Sequence, residues 1–543
     1  MMQPDKHTLI IQSLKGILKD IIANHNLDRE DVLEIPDLKF GDLASNILFV
    51  LSRIYKDSPQ KIFPHVKEQI LSRLKDRGFE NFIKDIVFLE PGFINFFFKE
   101  GLLYSFLEEI QNRLKVNLAH GESVILEFVS ANPTGPLTVA HGRQAAVGDS
   151  LARILEFTGF NVRRQYYLND EGRQIELLGA SLKERLKQLK GEPFSLPQDG
   201  YQGEYLLEIG RRVLEGNKVY PQEESFFSEF ALKEILSQIK GELERFRVSF
   251  DDWVSQKKIR EEGWIDKVLD ILKSKGLLYE KDGALWLRSQ QFGDDKDRVV
   301  VKSDGSFTYL APDIAYHYLK FRQVPHLLVN LWGPDHHGYI NRLKASLGGL
   351  GFDAQKLKII IVQQVSIKKE GRRLPMSTRK GQFLTLSQII KDIGVDAARI
   401  FYLLRKTSSH LEFDIDLAKA QTKDNPVYYI QYAHARIESI LRKAEPTSQA
   451  KLDLLKSPQE ISLLRFLFRF PQVLELCATL LDPYYLVDYL MGLAGLFHNF
   501  YEHQKVLGED KDITNSRIFL CQGVKKVLSA GLSLLGVSSP ERM

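Results

Sequence analysis

The clearest candidate for chemistry lies between Val124 and Phe157. A β-rich run, Val124-Ile125-Leu126-Glu127-Phe128-Val129, gives way to a turn-rich stretch from Ser130 to Pro136. A helical pattern follows, with small residues at Ala140, Gly142, Ala145, Ala146 and Gly148. Small side chains at a helix start let phosphate oxygens approach backbone N–H groups, and the helix dipole favours an anion there. His141 falls in the first turn, where its ring can hydrogen-bond a phosphate. The same residues would suit a surface histidine on a tightly packed core helix. This segment alone leaves both readings open.

The elements around it are those of a nucleotide-binding sheet. Thr158-Gly159 is a helix stop, and Val162 to Leu168 is a second strand. Strand, loop, helix and strand make a βαβ unit. Further strands are expected over His326 to Leu331 and Leu357 to Val362. Residues 1–110 open with an amphipathic helix through Leu14, Ile17, Leu18, Ile21 and Ile22. They close with strand-like text at Ile86-Val87-Phe88-Leu89 and Phe93 to Phe98, as in a small α+β module. Residues 111–415 alternate strand and helix. Residues 416–543 are nearly all helical. Lys190 to Gly203 is a Gly-, Pro- and Gln-containing loop or insertion.

Composition excludes several classes. The chain has 543 residues, enough for about three or four domains. Apolar residues make up 44% and charged residues 27%, which excludes a disordered chain, a collagen-like repeat and a disulfide scaffold. The net charge of +4 is too even to announce a nucleic-acid partner, so any basic surface must be local. Cys477 and Cys521 sit in apolar helical text and fit a reducing compartment. No apolar run is long enough for a membrane span, and the N-terminal helix is interrupted by Lys15, Lys19 and Asp20, unlike a signal peptide. The expectation is a cytoplasmic protein with no membrane association.

The text Glu127-Phe128-Val129-Ser130-Ala131-Asn132-Pro133-Thr134-Gly135-Pro136-Leu137-Thr138-Val139-Ala140-His141-Gly142-Arg143 resembles the signature loop of class I aminoacyl-tRNA synthetases, and within them the arginyl-tRNA synthetases. Tyr167-Leu168-Asn169-Asp170-Glu171-Gly172, Trp332-Gly333-Pro334-Asp335-His336-His337-Gly338-Tyr339, Asn425 to Arg436 and the terminal Pro540-Glu541-Arg542-Met543 match in order. The resemblance spans the chain. It implies an α/β fold: a Rossmann-type catalytic domain with an insertion (111–415), an N-terminal α+β tRNA-contacting domain (1–110) and a C-terminal helical-bundle anticodon-binding domain (416–543). It implies ATP-dependent ligation of L-arginine to its cognate tRNA(Arg) through arginyl-adenylate, by a monomer, with Mg²⁺ accompanying ATP and no structural metal.

Site residues follow from the same resemblance. Asp313 is expected to face the guanidinium, with Tyr309 beside it, because a carboxylate matches that planar cation. Glu127, Ser130 and Asn132 would hold the rest of the amino acid, including its ammonium. ATP would meet Pro136, Thr138, His141, Gly142, Gly333, Asp335, His336, Met376 and Ser377. Tyr432 and Arg436 would contact tRNA, while Phe497 and Tyr501 read as core. Arg342, Lys344, Lys368, Lys369, Arg372 and Arg373 are further candidates for phosphate contacts. Without the resemblance, Asp313 reads first as a cap of the helix that follows, and Gly333-Pro334 as a turn with solvated neighbours.

Two signatures depart from the family pattern. Thr138 and Ala140 replace the usual histidine and glycine of the first signature. In the second, Leu374-Pro375-Met376-Ser377-Thr378-Arg379-Lys380-Gly381, Pro375 and Thr378 stand where lysines are usual. Gly135 occupies the place where some relatives carry a compensating lysine. Arg379 and Lys380 are therefore the expected cationic catalytic groups beside His141 and Thr138, with Arg372 and Arg373 as substitutes. The alternative is an impaired paralogue that binds tRNA or arginine without charging.

Overall fold

The computed structural model describes residues 6–24, 32–216, 221, 223–374, 384–444, 450–508 and 510–543. Its centre is a sheet of five parallel strands in the order Leu357–Ile361, Leu327–Trp332, Ser123–Glu127, Asn161–Leu168 and Asp252–Ser255. Val124, Leu126, Leu328 and Val329 are fully buried, as expected for a parallel sheet covered on both faces. The helix Val139–Phe157 is the first crossover. It stops at Gly159, whose φ of +101° and close approach to the Ala119 carbonyl admit no side chain.

The first strand ends at Glu127, two residues short of the Val129 expected from sequence. Val129 and Ser130 take left-handed φ values of 67° and 37°. That region is costly for a β-branched residue. The turn is held by Ser130 N–H donating to the Phe128 carbonyl (2.9 Å) and the Tyr166 hydroxyl donating to the Ala131 carbonyl (2.9 Å). It swings Ser130 to Pro136 across the carboxyl end of the sheet, where α/β proteins place ligands.

Two small sheets were not legible as strands in the sequence. Leu278–Lys281, Ala284–Leu287 and Arg298–Val301 form one small sheet before the helix Leu310–Phe321. Val365–Lys369 pairs with Arg372–Arg373 and, in parallel, with Leu411–Asp414. This second sheet absorbs part of the expected phosphate cluster. Lys368 pairs with Asp414 (3.0 Å) and Arg373 with Glu412 (2.8 Å) at the surface.

The N-terminal segment has a sheet with Phe93–Phe98 between Leu43–Ser45 and Ile83–Leu89, backed by helices Lys6–Ala23, Ile47–Tyr55 and Pro59–Asp76. After residue 416 come the helices Pro426–Lys443, Pro458–Leu467, Phe470–Leu480, Tyr484–His503 and Lys511–Leu534. The two ends of the chain pack together. The buried His7 ring meets the Phe468 carbonyl (3.1 Å), Arg465 pairs with Asp42 (2.6 Å) and Arg469 donates to the Gly41 carbonyl (2.6 Å). Cys477 and Cys521 are buried free thiols. Among the described residues no helix is long and apolar enough to cross a membrane.

Candidate active site

The strand register sets Glu127 level with Asn330 and Gln165. All three are buried polar residues at the carboxyl end of the sheet. Lys320, on the helix Leu310–Phe321, donates from Nζ to Glu127 Oε2 and to Asn330 Oδ1 (3.1 Å). Asn330 Nδ2 donates to His317 Nε2 (2.8 Å), and His317 Nδ1 donates to the Asp313 carbonyl (2.8 Å). This assigns a neutral His317 with its proton on Nδ1, in keeping with burial lowering its pKa to about 3. Burial would raise the Glu127 pKa, but the Lys320 ammonium outweighs it and keeps the carboxylate ionised.

Glu127 is therefore committed. Lys320 takes one oxygen, and the Ser130 hydroxyl donates to the other (3.1 Å). Glu127 and Ser130, expected at the substrate ammonium, are thus already engaged here: Glu127 has a buried cationic partner, and the Ser130 oxygen also accepts Tyr167 N–H (3.1 Å). Asp313, by contrast, is in no ion pair among the described residues, although the Lys320 charge acts on it. It stands inside the first turn of its helix and does not cap it; Tyr309 is the N-cap. Burial raises the Asp313 carboxyl to about 7, with the Tyr339 hydroxyl opposing and Glu127 reinforcing the rise. The residue as a whole is half-buried. Tyr309 is 75% exposed, on the rim. Asn132 is also exposed, and its Nδ2 donates to Gln174 Oε1 (3.0 Å).

On the other side of the strand end lies the start of the Val139–Phe157 helix. Thr138 is its N-cap. Thr138 N–H donates to His141 Nδ1 (3.1 Å), and the threonine hydroxyl lies 3.3 Å from the same nitrogen. His141 must then carry its proton on Nε2, and burial holds its pKa at about 4. The ring is a neutral donor at pH 7, not a cation. Val139 N–H donates to the Leu384 carbonyl (3.3 Å) and Leu386 N–H to the Leu137 carbonyl (2.8 Å), which stitch the helix start to the segment from residue 384. Pro136 is half-buried in the same loop.

Gly142, expected at the nucleotide, also has a packing role. A Cβ there would meet the Tyr402 hydroxyl at 2.7 Å and Leu386 at 2.9 Å, so its smallness serves helix packing. Gly148 likewise faces Phe128. Ala140 is exposed at the helix start. Gly333 follows its strand as foreseen, packed on Asp335 Oδ1 and close to Gln144 Nε2. The Asp335 and His336 side chains are 79% and 57% exposed. Gln144 Oε1 is buried without a partner among the described residues. Met376, Ser377, Arg379 and Lys380, with Pro375 and Thr378, lie outside the described residues. Among the described residues no group of three or more His, Cys, Asp or Glu is placed to hold a metal ion.

A separate cavity of about 750 Å³ opens in the helical domain. Tyr432, Arg436, Tyr501, Lys443, Arg442 and Met543 help line it. Arg436 bonds the Tyr432 hydroxyl and lies 4.5 Å from the Tyr432 ring centre and 4.7 Å from that of Tyr501. Tyr501 is thus a cavity residue, 38% exposed, and not core as its helical spacing suggested; Phe497, one turn earlier, is fully buried.

Sequence reasoning missed Lys320, His317, Asn330, Tyr339, Gln144 and Gln174. One signal was present. Asp313, His317 and Lys320 recur at i, i+4 and i+7, one face of one helix. Gln144 lies one turn on from His141 in the same helix, whereas Asn330 and Gln174 come from elements distant in sequence from the residues they meet.

Three family models match the chain: the arginyl tRNA synthetase N terminal domain over residues 8–98, the tRNA synthetases class I (R) catalytic domain over 105–202 and 217–410, and the DALR anticodon binding domain over 430–543. A curated protein of Geobacter sp. strain M21, named arginine–tRNA ligase, is 40% identical over all of both chains. Another of that name from Geobacillus kaustophilus is 43% identical over 94% of each. The crystal structure titled Thermus thermophilus arginyl-tRNA synthetase superposes with a TM-score of 0.78 over 98% of this chain and all of that one, at 22% identity.

Proposed function

The chain belongs to the arginyl-tRNA synthetase family, and from that premise we infer that it ligates L-arginine to its cognate tRNA, driven by ATP and passing through arginyl-adenylate. The arginine carboxylate attacks the α-phosphate of ATP, and pyrophosphate leaves. The terminal ribose hydroxyl of the tRNA then takes the arginyl group. Full-length kinship with proteins named arginine–tRNA ligase carries this reading, and no observation favours an impaired paralogue.

In the reading we propose for the site, Asp313 pairs with the guanidinium. It is the buried carboxylate left after Lys320 neutralises Glu127, and Tyr309 and Tyr339 border it. Asn132, with Gln174 beside it, faces the backbone end of the amino acid. His141 donates from Nε2 to the α-phosphate, helped by the N-terminus of its helix. Gly333, Asp335, His336 and the unpartnered Gln144 oxygen receive the adenosine. Mg²⁺ travels with the ATP phosphates, which need no protein cage to hold it. Arg379 and Lys380 supply positive charge to the departing pyrophosphate. Tyr432, Arg436 and Tyr501 stack on and pair with unpaired tRNA bases.

The test is tRNA charging with each amino acid, cognate tRNA being present throughout. Formation of arginyl-tRNA alone is expected. If no arginyl product appears with active ATP and intact tRNA, the reading fails.

A further inference from the structure

The buried guanidinium of Arg143 has no carboxylate of its own. Arg143 follows His141 by two residues and is fully buried. Its Nη1 donates to the carbonyls of Gln363 (2.8 Å) and Ser409 (2.9 Å), and its Nη2 to those of Lys406 (2.9 Å) and Arg405 (3.3 Å). Burial lowers its pKa to about 10, with Asp482 opposing, so it stays charged at pH 7. Arg399, equally buried, is neutralised directly by Asp149 at 2.6 Å. Arg143 instead spends its donors on one short loop and the end of a strand.

The far side of that loop belongs to the helical domain. Asp482 Oδ2 accepts Thr407 N–H (2.8 Å) and the Thr407 hydroxyl (3.0 Å). Lys406 sits 5.1 Å above the Tyr485 ring. Asp482 Oδ1 also accepts the N–H of Tyr484, the first residue of the helix Tyr484–His503. That helix runs roughly 30 Å and carries Tyr501, a wall of the 750 Å³ cavity, near its other end. A continuous run of hydrogen bonds and one rigid helix thus joins the helix start at Thr138 and His141 to the cavity at Tyr432 and Arg436.

We propose that Arg143 is a positioning residue for ligation: through residues 405–409 it fixes the start of the Val139–Phe157 helix against the helical domain, whose Asp482 grips the same loop from the other side. This rests on the reading of His141 as the phosphate donor. A buried polar network of this kind sets geometry more than net stability. Small misplacements of a catalytic group have large rate consequences.

The test compares Arg143→Lys, Thr407→Val, Asp482→Asn and the Arg143→Lys/Asp482→Asn double variant in the full-length protein. Arg143→Lys keeps the charge but cannot reach four carbonyls. It is expected to lower kcat for arginyl-tRNA formation about tenfold or more and to raise KM for ATP, with KM for arginine and tRNA affinity unchanged. Thr407→Val and Asp482→Asn should act in the same direction, more weakly. The double variant should be no worse than Arg143→Lys, because the two residues act through one loop. Lower thermal stability with unchanged kcat and KM for ATP would overturn the proposal, as would additive losses or an equal rise in KM for arginine. If Arg143→Lys does not fold, Thr407→Val and Asp482→Asn decide by the same readouts. An inactive unmutated protein would refute the ligase reading itself; an active one indifferent to these substitutions would refute only this proposal.

Discussion

The two halves of the proposed active site solve opposite problems. The proposed arginine side is a buried, prewired network: Glu127, Lys320, Asn330 and His317 satisfy one another, and Asp313 is in no ion pair among the described residues. The proposed nucleotide side is open. Asp335 and His336 stand largely in solvent, and the groups proposed to face phosphate are a helix terminus and a neutral imidazole. A single planar cation must be distinguished from other side chains, which requires desolvated charge in fixed geometry. A triphosphate carries its own charge and needs donors that approach closely, which a backbone terminus supplies.

Substitutions should separate the two halves. The largest effect is expected from Lys320→Met, which leaves Glu127 buried without its partner and costs about 3–5 kcal/mol of stability. Urea unfolding should register it, and Glu127→Gln/Lys320→Met should recover most of the loss because it removes the pair together. Next comes Asp313→Asn. Steady-state kinetics should give a fall of about 10²–10³ in kcat/KM for arginine, with KM for ATP nearly unchanged. Loss of both parameters equally would mean that the halves are not separable in this way.

pH offers a gentler probe. Asp313 is raised to about 7, and only its ionised form pairs with a guanidinium. Arginine affinity should therefore rise through pH 7 and level off above it, changing about tenfold per pH unit on the acid side. His141, held at about 4, stays neutral from pH 6 to 8 and gives ATP affinity no such dependence. The smallest effect is expected from Thr138→His, which restores the usual signature residue. One added hydrogen bond is worth roughly 1 kcal/mol, so ATP–pyrophosphate exchange measured with tRNA present should rise only a few-fold. A rise of the size lost in Asp313→Asn would overturn the view that nucleotide handling is shared among many weak donors.

The legibility of these halves also differed. The nucleotide side is local: strand, turn and helix are consecutive, so small residues, His141 and the Gly159 stop could be read from one stretch. Even there, composition left the purpose of the small residues open. Gly142 looks like clearance for a nucleotide until Tyr402 and Leu386, more than two hundred residues away, are seen pressed against it. The strand was expected to continue through Val129 because β-branched residues favour extended backbone, but tertiary hydrogen bonds hold that residue left-handed. Tyr501 shared helical spacing with Phe497, yet helix periodicity cannot tell a buried face from one bordering a cavity.

The sequence alone determined the βαβ unit and the helix-rich C-terminal quarter, since these depend on local periodicity, and the ordered motifs whose family resemblance implies the reaction class. Tertiary structure decided which charges were already spent. Glu127 pairs with a lysine nearly two hundred positions away, Asp313 is in no ion pair among the described residues, and Arg143 is held by carbonyls from beyond residue 360. Ionisation and reach depend on burial and on neighbours across the fold, and neither quantity is written in the order of the residues.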